Sequence, residues 1–253
     1  MKITFLGTGT SQGVPVIACS CEVCVSNDPR DQRLRTSIMV SENGRNLVVD
    51  TGPDFRQQML NANVRSLDAV VFTHEHKDHV AGLDDIRAFN YVQKRKMDVY
   101  ATDRVGEALR REFHYVFADI RYPGVPEVDL HAFDAKPFEA AGFELIPIRV
   151  MHHRLPVTAF RIRDFVYITD ANYIADEEYE KVRGCKVLVI NALRIETHMS
   201  HFNLEQALAI INDIQPERAY LIHISHMFGK HADVQAKLPA HVFIANDGLE
   251  IEV

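Results

Sequence analysis

Thr73-His74-Glu75-His76-Lys77-Asp78-His79 is the stretch of this chain best equipped for chemistry. Imidazoles at His74, His76 and His79 and a carboxylate at Asp78 are crowded together. Neutral imidazole and carboxylate are donors that suit zinc, manganese or iron. An ordinary polar turn would favour Gly, Asn, Asp and Ser over repeated His. The apolar run Ala69-Val70-Val71-Phe72 comes first and reads as a short buried strand. Val80-Ala81-Gly82-Leu83-Asp84-Asp85 then reads as the entry to a helix reaching about Val92. The cluster therefore sits on a loop leaving a strand end. In extended backbone His74 and His76 point the same way. Asp78 and His79 then lie at the turn into the helix, where they can face a second ion.

A second crowded set is Cys19, Cys21 and Cys24. In a reducing cytosol such spacing points to a metal rather than to disulfides. Three thiolates can wrap one tetrahedral zinc, which then needs a fourth ligand; three unrelated thiols are the plainer alternative. Cys185 lies in a strand-like run and reads as a small buried residue. The loop Gly7-Thr8-Gly9-Thr10-Ser11-Gln12-Gly13 allows close backbone approach. Its spacing fits neither the dinucleotide nor the P-loop pattern, so a phosphate cradle and a plain turn both stay open.

The elements that must position these groups follow from apolar patterning. Ile3–Leu6 reads as a first strand. Residues 36–40 and 46–50 read as a hairpin around Asn43-Gly44. Asp50 ends the second of these, either as an acceptor orienting a ligand histidine or as a helix cap. Helices are expected at about 54–61, 104–112 and 176–182. Further strands are expected at 98–101, 143–150, 157–162, 165–169, 187–190 and 219–222. Asn203 with Gln206 is a capping-box start for another helix. Gln93-Lys94-Arg95-Lys96 reads as a solvated helix end. The aromatic and proline-rich segment 113–126 reads as a packed loop, with a lid as the alternative. His74/His76, His152, Asp170, His201 and His223 each follow a strand-like run. In sheet-based enzymes, strand ends converge on one edge where loops build the site.

The cluster resembles the His-x-His-x-Asp-His signature of the metallo-β-lactamase superfamily. Residues 7–24, 74–79, 152–155, 167–170, 198–207 and 220–226 together resemble the phosphoribosyl 1,2-cyclic phosphate phosphodiesterase family. The resemblance implies an αββα sandwich: two mixed sheets face to face with helices outside, over a single domain at 1–253, with a zinc-binding loop at about 16–31. It implies that His74, His76 and His152 hold one divalent ion (Zn, Mn or Fe). Asp78, His79 and His223 would hold another, bridged by Asp170. His226 would complete a structural zinc with Cys19, Cys21 and Cys24. His201 and Asp78 are the residues it places in the reaction itself, His201 as proton donor or phosphate stabiliser. His152 is preferred to His153 because Leu155 gives the family's His-x-x-Leu spacing, whereas His153 departs from the small residue usual there. His198 matches but receives no role.

The implied activity is hydrolysis of a small, even cyclic, phosphodiester, with two ions lowering the pKa of a bridging water. Rivals are a tRNA-processing type of nuclease, a thioester or lactone hydrolase on the same scaffold, and a non-enzymatic zinc-stabilised binding protein. The net charge of −7 argues against broad binding to nucleic acid or anionic membrane. A composition of 47% hydrophobic and 25% charged residues is that of an ordinary globular protein. No apolar run approaches the roughly 20 residues needed to span a bilayer. The N-terminus turns glycine-rich too early for a signal peptide, so the expected location is the cytoplasm. The expected partner is a small-molecule phosphodiester, and a homodimer stays open.

Overall fold

The computed structural model describes residues 1–120 and 122–253. The first half supplies strands β1 (Lys2–Gly7), β2 (Ser37–Glu42), β3 (Arg45–Val49), β4 (Ala69–Val71), β5 (Met97–Ala101) and β6 (Val128–Ala132). The second half supplies β7 (Phe138–Ala140), β8 (Phe143–His152), β9 (Leu155–Ile162), β10 (Phe165–Ile168), β11 (Tyr173–Ile174), β12 (Val187–Asn191), β13 (Arg218–Ile222), β14 (Val242–Ile244) and β15 (Glu250–Glu252). Among the described residues, one sheet runs β15-β1-β2-β3-β4-β5-β6. The other runs β11-β8-β9-β10-β12-β13-β14, with β7 on β8. Both mix parallel and antiparallel pairs: β1 to β2 is antiparallel and β3 to β4 parallel, while β8 to β9 is antiparallel and β12 to β13 parallel.

Continuous apolar strands explain the layering. Side chains alternate faces along a strand, so a run such as Val187-Leu188-Val189-Ile190 must bury both. Val187 and Val189, with Phe165 and Tyr167 of β10, enter the core between the sheets. Leu188 and Ile190, with Val166 and Ile168, enter the core beneath helix α6 (Leu204–Ile214). The first sheet does the same: Leu47 and Val49 face the other sheet, and Val48 faces the helices. Each such buried side chain contributes about 1.5–3 kcal/mol. The result is the αββα sandwich. No helix among the described residues is long and apolar enough to cross a membrane.

The helix expected after the histidine cluster is broken in three. It comprises one turn α2 (Lys77–Val80), a 3-10 turn Leu83–Ile86 and α3 (Arg87–Gln93). The cause is tertiary. A Cβ at Gly82 would collide with the Gly52 carbonyl, and the Gly82 N–H donates to the Thr51 oxygen at 2.8 Å. The chain gives up helical continuity to let the loop after β3 lie against it. Helices α1 (Phe55–Asn61), α4 (Asp103–Glu112) and α5 (Asp176–Tyr179) fall near their expected places, and α7 (His231–Gln235) is additional. In the 113–126 segment, Phe113 and Val116 are buried in the helix-side core of the first sheet, as packing requires. Position 121 lies outside the described residues.

Candidate metal centre

Strands β3, β4, β8, β10 and β13 end at one edge of the sandwich, and the residue types singled out above stand there. Three corners are sharp. Asp50, Asp170 and His223 follow β3, β10 and β13 with φ of 65°, 51° and 57°. Non-glycine residues seldom occupy this left-handed region, and they cluster at functional sites. Asp170 is the hub. Its Oδ2 lies 3.6 Å from His74 Nε2, 3.4 Å from His79 Nε2 and 3.7 Å from His201 Nε2. Its Oδ1 lies 2.9 Å from His223 Nδ1.

Three donor groupings share Asp170: with His74 and His76, with His79 and His223, and with His152 and His201. Asp78 joins beside the second, its Oδ2 3.3 Å from His79 Nε2. His153, by contrast, is exposed, with its N–H bonded to Asn172 Oδ1 at 2.8 Å. His198 stands behind His201, Nδ1 to Nδ1 at 3.3 Å. On the other side Cys19, Cys21 and Cys24 place their sulfurs 3.3, 3.4 and 3.6 Å from His226 Nδ1.

The backs of the rings are fixed. His152 Nδ1 donates to the Ser200 carbonyl at 2.8 Å, and a carbonyl can only accept, so Nε2 is the free lone pair. His79 Nδ1 donates to Asp50 Oδ2 at 2.7 Å. Asp50 also accepts from Thr73 N and Thr73 Oγ1, both at 2.8 Å. Of the two readings open for Asp50, acceptor for a histidine is the one its contacts match. Helix α1 has Asp54, not Asp50, at its N-terminus. Such carboxylate–histidine pairs set the tautomer that a metal needs.

Thr10 Oγ1 bonds His223 Nε2 at 3.1 Å, a partner that sequence reasoning missed. The glycine loop signalled it indirectly. Thr10 N donates to Ile224 O at 3.0 Å and Ile224 N to Thr8 O at 2.9 Å, so that loop lies along the end of β13.

Electrostatics and orphaned atoms test the fit to a cation. Burial alone would lower His79, but the carboxylates of Asp170, Asp78 and Asp50 outweigh it and hold its imidazole well above the usual range. Burial would raise Asp170, yet His223 and His79 hold it well below. His74 is lowered well below, first by burial and then by charged His79. His74 Nε2, His79 Nε2, His201 Nε2 and His223 Nδ1 are buried with no hydrogen-bond partner. Native structures seldom leave such groups unpaired. Divalent cations among these atoms would satisfy them all and neutralise the carboxylates, so the donor set fits. At the thiols, a backbone N–H draws Cys21 down to about 6, helped by His226. Burial and its neighbouring thiols push Cys24 up to about 11. Three thiolates around one point need a cation between them.

A family model for the beta-lactamase superfamily domain matches residues 45–224. The chain belongs to the metallo-β-lactamase superfamily. Hydrolase character and divalent-metal binding come with that membership. A crystal structure described as a new diphosphatase from the PhnP family superposes with a TM-score of 0.93 at 36% identity, covering 99% of this chain and 96% of that one. Zinc-bound PqqB from Methylobacterium extorquens superposes at 0.80 over 100% of both chains, and at 22% identity it shares the fold. An octanoyltransferase of Porphyromonas gingivalis is 42% identical over 253 residues, covering 99% of this chain and 51% of that protein. This superfamily member thus spans about half the length of the curated relatives it matches.

Proposed function

We propose that this chain is a phosphodiesterase, hydrolysing a small open or cyclic phosphodiester at a two-ion centre. The observation that carries the reading is the convergence of four buried, unpartnered imidazole nitrogens near one carboxylate, Asp170. A 36% identical neighbour described as a diphosphatase supports phosphorus–oxygen chemistry. His74, His76 and His152 would hold one ion; Asp78, His79 and His223 the other; Asp170 would lie between. When bound, two divalent ions would lower the pKa of a water and neutralise phosphate oxygens as charge builds.

The chain's own residues do the rest. Asp50, Ser200 and Thr10 fix ring orientation from behind. His201, backed by Ser200 Oγ at 3.1 Å, presents Nε2 inward. From there it would pass a proton to the leaving oxygen. Burial lowers its pKa, so it is neutral at rest and gains its proton from the attacking water or the solvent. Cys19, Cys21, Cys24 and His226 would hold a structural zinc that pins the 16–31 loop beside β13.

The test combines metal analysis with a substrate screen of bis-p-nitrophenyl phosphate, a lactone, nitrocefin and precursor tRNA. Turnover of the diester alone is expected. Preference for nitrocefin or the lactone overturns the reading, as does cleavage confined to the tRNA.

A further inference from the structure

Two cavities meet beside the metal centre. The first, of about 410 Å³, is its mouth, lined by His76, His152, His153, Arg154, Leu155 and Arg104. The second, of about 340 Å³, has Arg104, Phe133, Pro147, Pro156 and Thr158 among its lining residues. Arg104 belongs to both walls. Leu155 and Pro156, successive residues of β9, line one cavity each. Arg104 is held at this crossing by Glu75, Nε to Oε1 at 2.7 Å, so the guanidinium is tethered to the histidine cluster itself. The Thr158 N–H donates to the Thr73 carbonyl at 3.0 Å, tying the second cavity to the residue before His74.

We infer that the second cavity is a nucleoside subsite of the phosphodiesterase centre, with Arg104 on the phosphate that joins the two. The inference rests on the function proposed above. A diester seated at the His76–His152 mouth has one substituent that must leave past Arg104. Beyond it, Phe133 and the two prolines offer an apolar floor to a flat ring. The hydroxyl of Thr158 and the carboxylate of Asp134, which also lines the cavity, suit the polar edge of a base or sugar hydroxyls. Ligand sites share this make-up, an apolar pocket with a few placed polar groups, at about 300–1,000 Å³. A guanidinium suits phosphate through its planar fork of donors. Lys181 does not compete for the phosphate, because its ammonium is engaged by Glu178 at 2.7 Å and the Pro147 carbonyl at 3.1 Å.

Calorimetric titration of the metal-loaded protein with thymidine 5′-monophosphate and, separately, with inorganic phosphate tests the assignment. The nucleotide is expected to bind about tenfold more tightly, the scale of one base resting on an aromatic floor. Ala135→Trp places an indole into the second cavity from an exposed position on its rim. It is expected to bring the two affinities within about twofold of each other. Equal affinities in the wild-type protein overturn the assignment, and that comparison stands without any variant. A preference that a folded Ala135→Trp protein keeps overturns it too. Nucleotide preference without turnover of any phosphodiester would remove the proposed activity and leave the subsite. Turnover without preference would do the reverse.

Discussion

Replacing Asp50 separates two things that one carboxylate does. It accepts from Thr73 N, Thr73 Oγ1 and His79 Nδ1, all in the interior. Asp50→Ala leaves two of these donors stranded, because Thr73 Oγ1 can turn to His74 Nδ1, 2.9 Å away. A buried donor without a partner costs about 1–3 kcal/mol, so the gross loss is about 2–6 kcal/mol. Burial pushes the Asp50 carboxyl upward, and losing that penalty offsets part of the cost. A net loss of about 3 kcal/mol lowers Tm by roughly 6–12 °C at this chain length.

Asp50→Asn behaves differently. Its amide oxygen can still accept from Thr73 N, so Tm falls less. Its amide nitrogen then faces His79 Nδ1, and the ring must expose an acceptor there and carry its proton on Nε2. That nitrogen is the one directed at Asp78 and Asp170. Metal affinity should therefore fall about 10–100-fold in both variants, despite their unequal stabilities. Chelator-competition titration and thermal melts of metal-free protein measure the two effects apart. Wild-type affinity in Asp50→Asn would mean that Asp50 supports the fold without setting the tautomer of His79.

Other perturbations reach other parts of the site. His201→Ala should keep its metal content by elemental analysis and lose about 10²–10⁴-fold in kcat on bis-p-nitrophenyl phosphate. Loss of an ion instead would make His201 a ligand. Cys21→Ser should lose one zinc per chain and melt at lower temperature, since four donors must hold that ion; unchanged metal content would refute the site. Asp247 tests a charge away from the metals. Burial raises its carboxyl to about 6 from 3.8, against the bonds it accepts from Leu34 N and Thr8 Oγ1. The folded protein therefore keeps a proton that the unfolded chain has released. Its stabilising contribution is full below the unfolded value and is lost as pH rises through about 6. Asp247→Asn should gain on wild type by about 2–3 kcal/mol across that window and then run parallel. His231, lowered to about 4 by burial and Arg33, pulls the other way in both proteins and cancels in the difference. Urea unfolding of chelator-treated protein across that range measures it, and a flat difference refutes the assignment.

The sandwich was legible because its central strands are apolar on both faces, and length separates such runs from helices. The edges were not. β15 carries a single apolar residue in Glu250-Ile251-Glu252, and β11 spans two residues, so neither has a period to read. The capping box at Asn203 and Gln206 was legible because it is local; both of its hydrogen bonds form, at 2.9 and 3.0 Å. The split of the helix after the histidines was hidden, since it depends on Gly52 approaching from 30 residues away. Within the site, histidines and aspartates announce themselves by type and by their place after strands. Thr10, Thr73 and Ser200 are common residues whose role comes only from what they face. The arginine shared by two cavities has no signature in the chain at all.

The left-handed corners at Asp50, Asp170 and His223 have an evolutionary corollary. Each reverses the backbone within one residue, so whatever follows departs from the rim already heading into solvent. Segments grafted after these corners can lengthen, shorten or change composition while the donors stay where the strands put them. A scaffold of this kind can trade one clientele for another by exchanging peripheral peptide alone.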